Sequence, residues 1–295
     1  MTAHRRDCKS MKLPRLQLTA RIARPSDFRL VARLCRRATG PRDYVLSILR
    51  DTIERGSLFL AWNDSELVGM TNFEKCVDGS GWLGMARTDP DWRRSGVAIF
   101  LQKQIASHAK KRGVTTLRLL ASSRNTPSIR AIMKGEFKQI CEAAHISYHF
   151  KTTGKNTAVP LCDQLSDTQF DTLLDSEYLS RMNGYLAYNR RFVKADKSLL
   201  NMVSQRGELY MMGGAAFILT QPQKMFDKRA TSLSLLMGKV TDSFRRSKDA
   251  AKALGVQVMS AYIPYNRYQV KTARELRFRV AHWGRHCLVF ERDIL

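Results

Sequence analysis

The sequence predicts a mixed α/β fold, with a mostly antiparallel sheet flanked by helices in the first half and a degenerate copy of that arrangement in the second. Three observations carry this. Strand-like apolar runs alternate with amphipathic helical runs over 18–150. The early strands are separated only by short turn clusters, Asn63-Asp64-Ser65 and Asp78-Gly79-Ser80-Gly81, too short for parallel crossovers. Finally, a stretch of the second half can be laid on one from the first, with Gly255 on Gly113, Asn266 on Asn125 and Phe278 on Phe137.

Taken in order, TARIARPSD (19–27) opens as a short strand, and helices follow over about 28–38 and across 41–56. SLFLAWND, ELVGMTNFEKCV and SGWLGMARTDP read as three strands between turn signals. A helix over about 96–112 places Val97, Leu101 and Ile105 on one face, with Lys110-Lys111-Arg112 in its last turn before Gly113. VTTLRLLASS is a strand, TPSIRAIMKGE a helix with Pro127 near its start, and FKQICEAAHISYHF a closing strand. The polar, Gly- and Pro-punctuated segment 151–161 reads as a linker. The domain assignment is therefore a basic extension (1–17), a first domain (18–150), the linker, and a second domain (162–295). The extension resembles a transit segment in charge but lacks its serine richness, so a solvated leader is preferred, and Met11 is an alternative start.

Composition limits function by sign and compartment. A formal net charge of +24 sets up a field that attracts anions: nucleic acid, an acidic membrane or a polyphosphate cofactor. No apolar run reaches the ~18 residues that span a bilayer. The six cysteines are scattered without a CxxC pair, which points to reduced thiols and a cytoplasmic location. HWGRHC (282–287) has no cysteine pair before it and does not read as a zinc site.

The most informative stretch is TDPDWRRSGVA (88–98). A helix begins with unpartnered N–H groups at the positive end of its dipole. Gly96 removes the Cβ that would block approach, while Arg93 and Arg94 supply charge, so the turn suits a diphosphate. Charge-assisted hydrogen bonds there contribute roughly 1.5–3 kcal/mol each.

Arg93, Gly96 and Ala98, with Asn125 after the next strand, closely resemble the Gln/Arg-x-x-Gly-x-Gly/Ala signature of the GNAT acetyltransferase superfamily. The resemblance spans about 18–150 and covers only the later elements of the second half. It implies acetyl-CoA as cosubstrate and an amine-bearing acceptor. Backbone near Arg87 and Thr88 would pair with the pantetheine arm. The Arg93, Arg94, Ser95, Gly96, Val97 and Ala98 segment would hold the pyrophosphate, and Asn125 would contact the pantetheine or adenosine side. Amine attack on the thioester in a ternary complex, with transfer of the acetyl group, is the implied chemistry.

The sequence departs from the family where many relatives place a proton-donating tyrosine. Ile132 stands there, and Ala273 in the second half. No fourth-strand carboxylate is present, Glu74 being the nearest substitute, so no catalytic residue is assigned and no metal is expected. The second-half turn has Gly238 and Lys239 but no arginine–glycine arrangement, so this half is expected to wall the acceptor pocket, with Tyr262, Tyr265 and Tyr268 as lining candidates. An acyl-CoA-binding regulatory module and a nucleic-acid-associated protein remain the rival classes.

Overall fold

A computed structural model describes residues 17–151, 165–225 and 227–295. The leader expected at 1–17 and the linker expected at 151–161 lie almost wholly outside these residues. The first half forms β1 (Leu18–Ile22), α1 (Phe28–Thr39), α2 (Val45–Glu54), β2 (Leu58–Asn63), β3 (Glu66–Lys75), β4 (Gly81–Thr88), α3 (Val97–Lys110), β5 (Thr116–Ser122), α4 (Thr126–Lys134) and β6 (Lys138–His149). The second half opens with α5 (Asp167–Leu174), α6 (Glu177–Arg181), the hairpin β7 (Tyr185–Tyr188) and β8 (Arg191–Lys194), α7 (Lys197–Gln205), β9 (Leu209–Met212) and β10 (Ala215–Leu219). It closes with β11 (Gln223–Met225), β12 (Lys228–Met237), α8 (Val240–Ala253), β13 (Val258–Pro264), α9 (Arg267–Glu275), β14 (Arg279–Val280) and β15 (Cys287–Asp293).

The two halves share one sheet. Its strand order is β1-β2-β3-β4-β5-β15-β6-β13-β12-β10-β9, antiparallel except where β4 meets β5 and β12 meets β13. By sequence order β6 closes the first unit. In space the last strand of the chain inserts between β5 and β6, with Cys287 opposite Ser122 on one side and Ala143 on the other. In return, β6 continues into the second half, where His149 to Ala143 pair with Val258 to Pro264. Each half thus borrows a strand, and period-two alternation fixes the faces. Leu117, Leu119 and Ala121 of β5 turn toward α3 and α4, together with Phe290 of β15. Val289, Cys141 and Ala143 face the β7–β8 hairpin on the other side.

Several elements of the two halves agree in length. α3 and α8 both have 14 residues, β5 and β13 both 7, and α4 and α9 both 9. Asn125 and Asn266 each cap the helix that follows, and the amides of Phe137 and Phe278 bond back to Ile132 and Ala273 respectively.

One buried guanidinium joins the halves. Arg118, on the hairpin face of β5, donates from Nε to Glu291 of β15 at 2.6 Å, and from Nη1 to Asp78 and to Ser80 Oγ. The Tyr185 hydroxyl also donates to Glu291, at 2.9 Å, and the Lys194 amide donates to Asp78 at 3.0 Å. Burial disfavours the ionised form of Asp78, but Ser80, the Lys194 amide and Arg118 together hold its pKa below the usual carboxylate range. Removing one partner strands the others in low dielectric, a change that costs about 3–5 kcal/mol. Arg118→Ala is therefore expected to lose stability of that order in urea unfolding. Because β15 is common property, the wild type is expected to unfold in one transition, with probes in the two halves giving the same midpoint. Two separate wild-type transitions would show that the shared strand does not couple the halves.

Candidate functional site

The turn before α3 is held by ion pairs at its start and left open at its end. Asp89 accepts from the amide of Asp91 and takes both Nε and Nη2 of Arg37, at 2.7 and 2.9 Å. Pairing with Arg37 keeps the Asp89 pKa low in spite of burial. Arg37 also reaches Asp91, and Arg93 donates to the Ala38 carbonyl at 2.8 Å, so the end of α1 anchors the turn. Beyond it, Arg94 has φ +67° and is exposed. Gly96 sits at φ +90°, ψ 0° as the N-cap of α3, with no side-chain cap. A Cβ there would meet no atom within 4 Å, so the glycine answers to backbone geometry and not to crowding. The first amides of α3 lack a capping side chain and face open space beside an arginine pair, an arrangement suited to an oxyanion.

Next to this turn the sheet parts. β4 and β5 pair only over Gly81–Leu117, Trp82–Arg118 and Leu83–Leu119. Past Leu83 the ladder between them stops, although β4 runs on to Thr88 and β5 to Ser122. The pairing of β3 with β4 shifts register between Met70 and Asn72, and Met85 adopts φ +53°. That bulge strengthens the local twist and turns β4 away from β5. Gly69 permits the close seating of α3 over β3, since a Cβ would lie 2.5 Å from Val97 Cγ1. Arg87 secures the bulged segment by a bidentate pair with Asp43, both contacts at 2.7 Å. Burial opposes ionisation of Asp43, yet Arg87, the Val45 amide and Thr39 outweigh it and lower its pKa. The pair brings Tyr44 beside the wedge, with the Arg87 guanidinium 5.5 Å from its ring centroid.

Both halves contribute to an aromatic row on the same face as α1 and α2, Trp82 and His145 from the first and Phe192, Tyr262 and Trp283 from the second. Trp82 stacks on Phe192, which meets Tyr262 edge-on at 5.2 Å; Tyr262 lies 4.9 Å from His145, and His145 stacks on Trp283. Tyr262 is in electrostatic reach of Tyr44 and Arg190, and burial raises its pKa. His145 Nδ1 is buried without a hydrogen-bond partner among the described residues, and burial, aided by Arg190, lowers the imidazole pKa to about 4. Tyr265 stacks on His286, while Tyr268 stands exposed on α9.

Of the residues singled out in the sequence, Arg87, Thr88 and Arg93 to Ala98 come together along the wedge and turn. Asn125 uses its side-chain oxygen to cap α4, accepting from the Ser128 amide at 3.3 Å. Ile132 is core, packed with α3 and β5. Glu74 is engaged on both oxygens, by Asn72 and by the Arg191 guanidinium. The HWGRHC segment forms a turn, with the strand starting only at Cys287. Its side chains diverge: His282 meets Arg124, His286 meets Glu142, and Cys287 is buried. Burial pushes the Cys35 thiol up to about 11 and those of Cys76, Cys141 and Cys287 up to about 12, so none of the four is a thiolate nucleophile near neutrality.

The second half has a matching wedge that is filled. β12 and β13 pair from Ala230–Val258 to Leu233–Ala261 and then separate. There the Ser234 hydroxyl donates to the Ala187 carbonyl at 2.6 Å, closing the β7 hairpin over the strand. A Cβ on Gly238 would lie 2.8 Å from the Ala215 Cα and from the Gly214 carbonyl, so the β9–β10 turn occupies the space that stays open at Gly96.

Comparison with known proteins agrees with this geometry. Residues 27–134 match the profile of the Acetyltransferase (GNAT) family. A GCN5-related N-acetyltransferase from Sphaerobacter thermophilus aligns at 12% identity and TM-score 0.56, covering 94% of this chain and 96% of its own. A provisionally assigned acetyltransferase from Thermoplasma acidophilum aligns at 17% identity and TM-score 0.56, covering 93% and 99% respectively. At these identities the likeness concerns the fold, and it extends over both halves. No curated protein matches the chain. No helix among the described residues is long and apolar enough to cross a membrane.

The buried imidazole gives a pH signature. His145 titrates near 4 when folded and near 6.5 in an unfolded chain, so the unfolded state binds more protons between those values. Stability from this group is complete above about pH 6.5 and is lost as pH falls toward 4. Burial and nearby cations displace His108 and His149 the same way. The slope of unfolding free energy against pH from 6.5 to 4.5 is expected to drop by up to about one proton in His145→Phe, which keeps the aromatic stack. An unchanged slope would place the titration elsewhere.

Proposed function

We propose, starting from the GNAT acetyltransferase domain that residues 27–134 form, that the protein transfers an acetyl group from acetyl-CoA to an amine. The observation that carries this is the uncapped start of α3 at Gly96, next to the wedge between β4 and β5. In this reading the pyrophosphate takes the amides from Arg93 to Ala98, with Arg94 as a free counter-charge. The pantetheine arm lies along Arg87 and Thr88, replacing the strand pairing that β4 lacks past Leu83. The amine nitrogen attacks the thioester carbonyl carbon and a C–N bond forms. A β4 backbone N–H steadies the oxyanion. The C–S bond then breaks, and the proton lost by nitrogen is available to the departing thiolate.

Direct attack in a ternary complex is favoured over an acyl-enzyme because the buried thiols stay protonated. With Ile132 in the core, no helix hydroxyl is offered to the leaving group from that position. A thiol of pKa near 8.5 leaves without obligatory protonation, so the loss slows the reaction and does not forbid it. The second half is assigned as a degenerate copy that lost its phosphate turn and walls the acceptor side with Tyr262, which packs on His145 of the first half. Cytoplasmic location belongs to the same reading.

Thermal unfolding tests the cofactor site. Acetyl-CoA at about 100 times its Kd is expected to add about 2.7 kcal/mol and raise Tm by several degrees. Gly96→Ala and Gly96→Glu share the strain of a side chain at φ +90°, about 1–3 kcal/mol, so both lower the apo Tm. Only the Glu variant should abolish the ligand-induced shift, because only it brings negative charge into the turn. A full shift in Gly96→Glu would rule out the turn as the phosphate site.

The acceptor class follows from charge. A net +24 repels polycations, so neutral or acidic amines are expected to show the higher kcat/KM. Spermidine or a lysine-rich peptide emerging as the best acceptor in an amine screen would reverse that expectation.

A further inference from the structure

At the opposite end of α3 from Gly96 lies a second concave site. A 14-residue helix is about 20 Å long, so the two are well separated. The cavity, about 470 Å³, opens between the C-terminal ends of α2 and α3, the end of β3 and the β7–β8 hairpin. Arg55, Lys75, Arg112 and Arg191 line it, with Glu74 as the one carboxylate and His108 on the wall.

The partners of these cations decide what the cavity can hold. Arg191 pairs with Glu74, and Lys75 donates to the Arg112 carbonyl. The side chains of Arg55 and Arg112 have no carboxylate partner among the described residues. Two helix ends at the rim contribute roughly half a negative charge each. Four cations against one carboxylate and these two ends still leave about two uncompensated positive charges around a small concavity. Burial lowers the Arg191 pKa, and repulsion from Arg55 across the cavity adds to that. Cationic groups brought together from both halves with a single carboxylate among them form a site with room for anionic oxygens. Guanidinium groups match phosphate and carboxylate geometry, and wall strands hold Lys75 and Arg191 in place.

We propose that this cavity binds a small polyanion, carried by phosphate or carboxylate groups, at a site separate from the turn at Gly96. Such a ligand would bridge the α2 and α3 ends of the first half to the β8 strand of the second. The proposal does not depend on the acetyltransferase reading.

Calorimetric titration with pyrophosphate, in the full chain carrying Gly96→Glu so that the α3 turn does not compete, tests it. Binding is expected, and Arg55→Gln or Arg112→Gln should each weaken it about tenfold or more. Both residues are exposed, so the folded state survives their change, as the apo Tm would confirm. Lys252→Gln and Lys271→Gln remove the same charge from exposed positions on α8 and α9, elements that do not line the cavity, and should leave the Kd within about twofold. Citrate titrated in parallel separates carboxylate from phosphate recognition. Absence of pyrophosphate binding, or equal weakening by all four substitutions, would overturn the proposal.

Discussion

Everything else in the molecule hangs on the register of one strand. Residues 287–293 lie between β5 and β6, and that placement makes two half-sheets into one. Arg118 bonds to Glu291 across 173 residues of chain, so the first half reaches its final pairing only when the last residues have arrived. Contacts of such separation carry a large loop-closure cost and form slowly. What they confer is rigidity at the centre of the sheet. β5 is clamped along its full length by β15, so the parting of β4 from β5 falls on β4, which bends at its bulge.

The wedge is therefore a controlled defect. Backbone groups beyond Leu83 forgo their strand partner, a loss that secondary structure normally avoids. The Asp43–Arg87 pair, Gly69 beneath Val97 and the Arg37–Asp89 anchor surround this gap and fix its shape. In the second half the parallel pair β12–β13 also parts along its length, with the gap closed. Ser234 satisfies Ala187, and the β9–β10 turn crowds Gly238. Two parallel strand pairs that part, one leaving an open wedge and one a plugged one, argue that openness in the first half is maintained by particular residues.

What could be read in the sequence was what is local. Helix periods, turn clusters and the Arg93–Ala98 pattern depend on residues within a few positions of each other, and they appear in the structure close to where the pattern put them. The Asn125/Asn266 and Phe137/Phe278 correspondence was legible because it rests on caps and helix ends of fixed spacing. The strand exchange was not, since CLVFERD satisfies period-two alternation beside any neighbour. Asp43, His145, Phe192 and Arg191 likewise gain their meaning from partners far along the chain. Glu74 looked available as a base because Arg191 is 117 positions away. The aromatic spacing of Tyr262, Tyr265 and Tyr268 was visible, but only the fold separates Tyr262, inside the row, from Tyr268 on the surface.

Charge ties these features together. Acidic residues are few, and in the first half the buried ones are committed: Asp27 to Arg21, Asp43 to Arg87, Asp78 to Arg118 and Asp89 to Arg37. Each of these pairs is structural, and each carboxylate so used is unavailable to offset the remaining cations. Part of the surplus stands where backbone geometry leaves arginines beside open space, at Arg93 and Arg94 before α3 and at Arg55 and Arg112 beyond the helix ends. At physiological salt, exposed charges are screened over about 8 Å, well under the length of α3. Under the two proposals the positive regions would therefore act as separate anion sites, and occupation of one need not discharge the other.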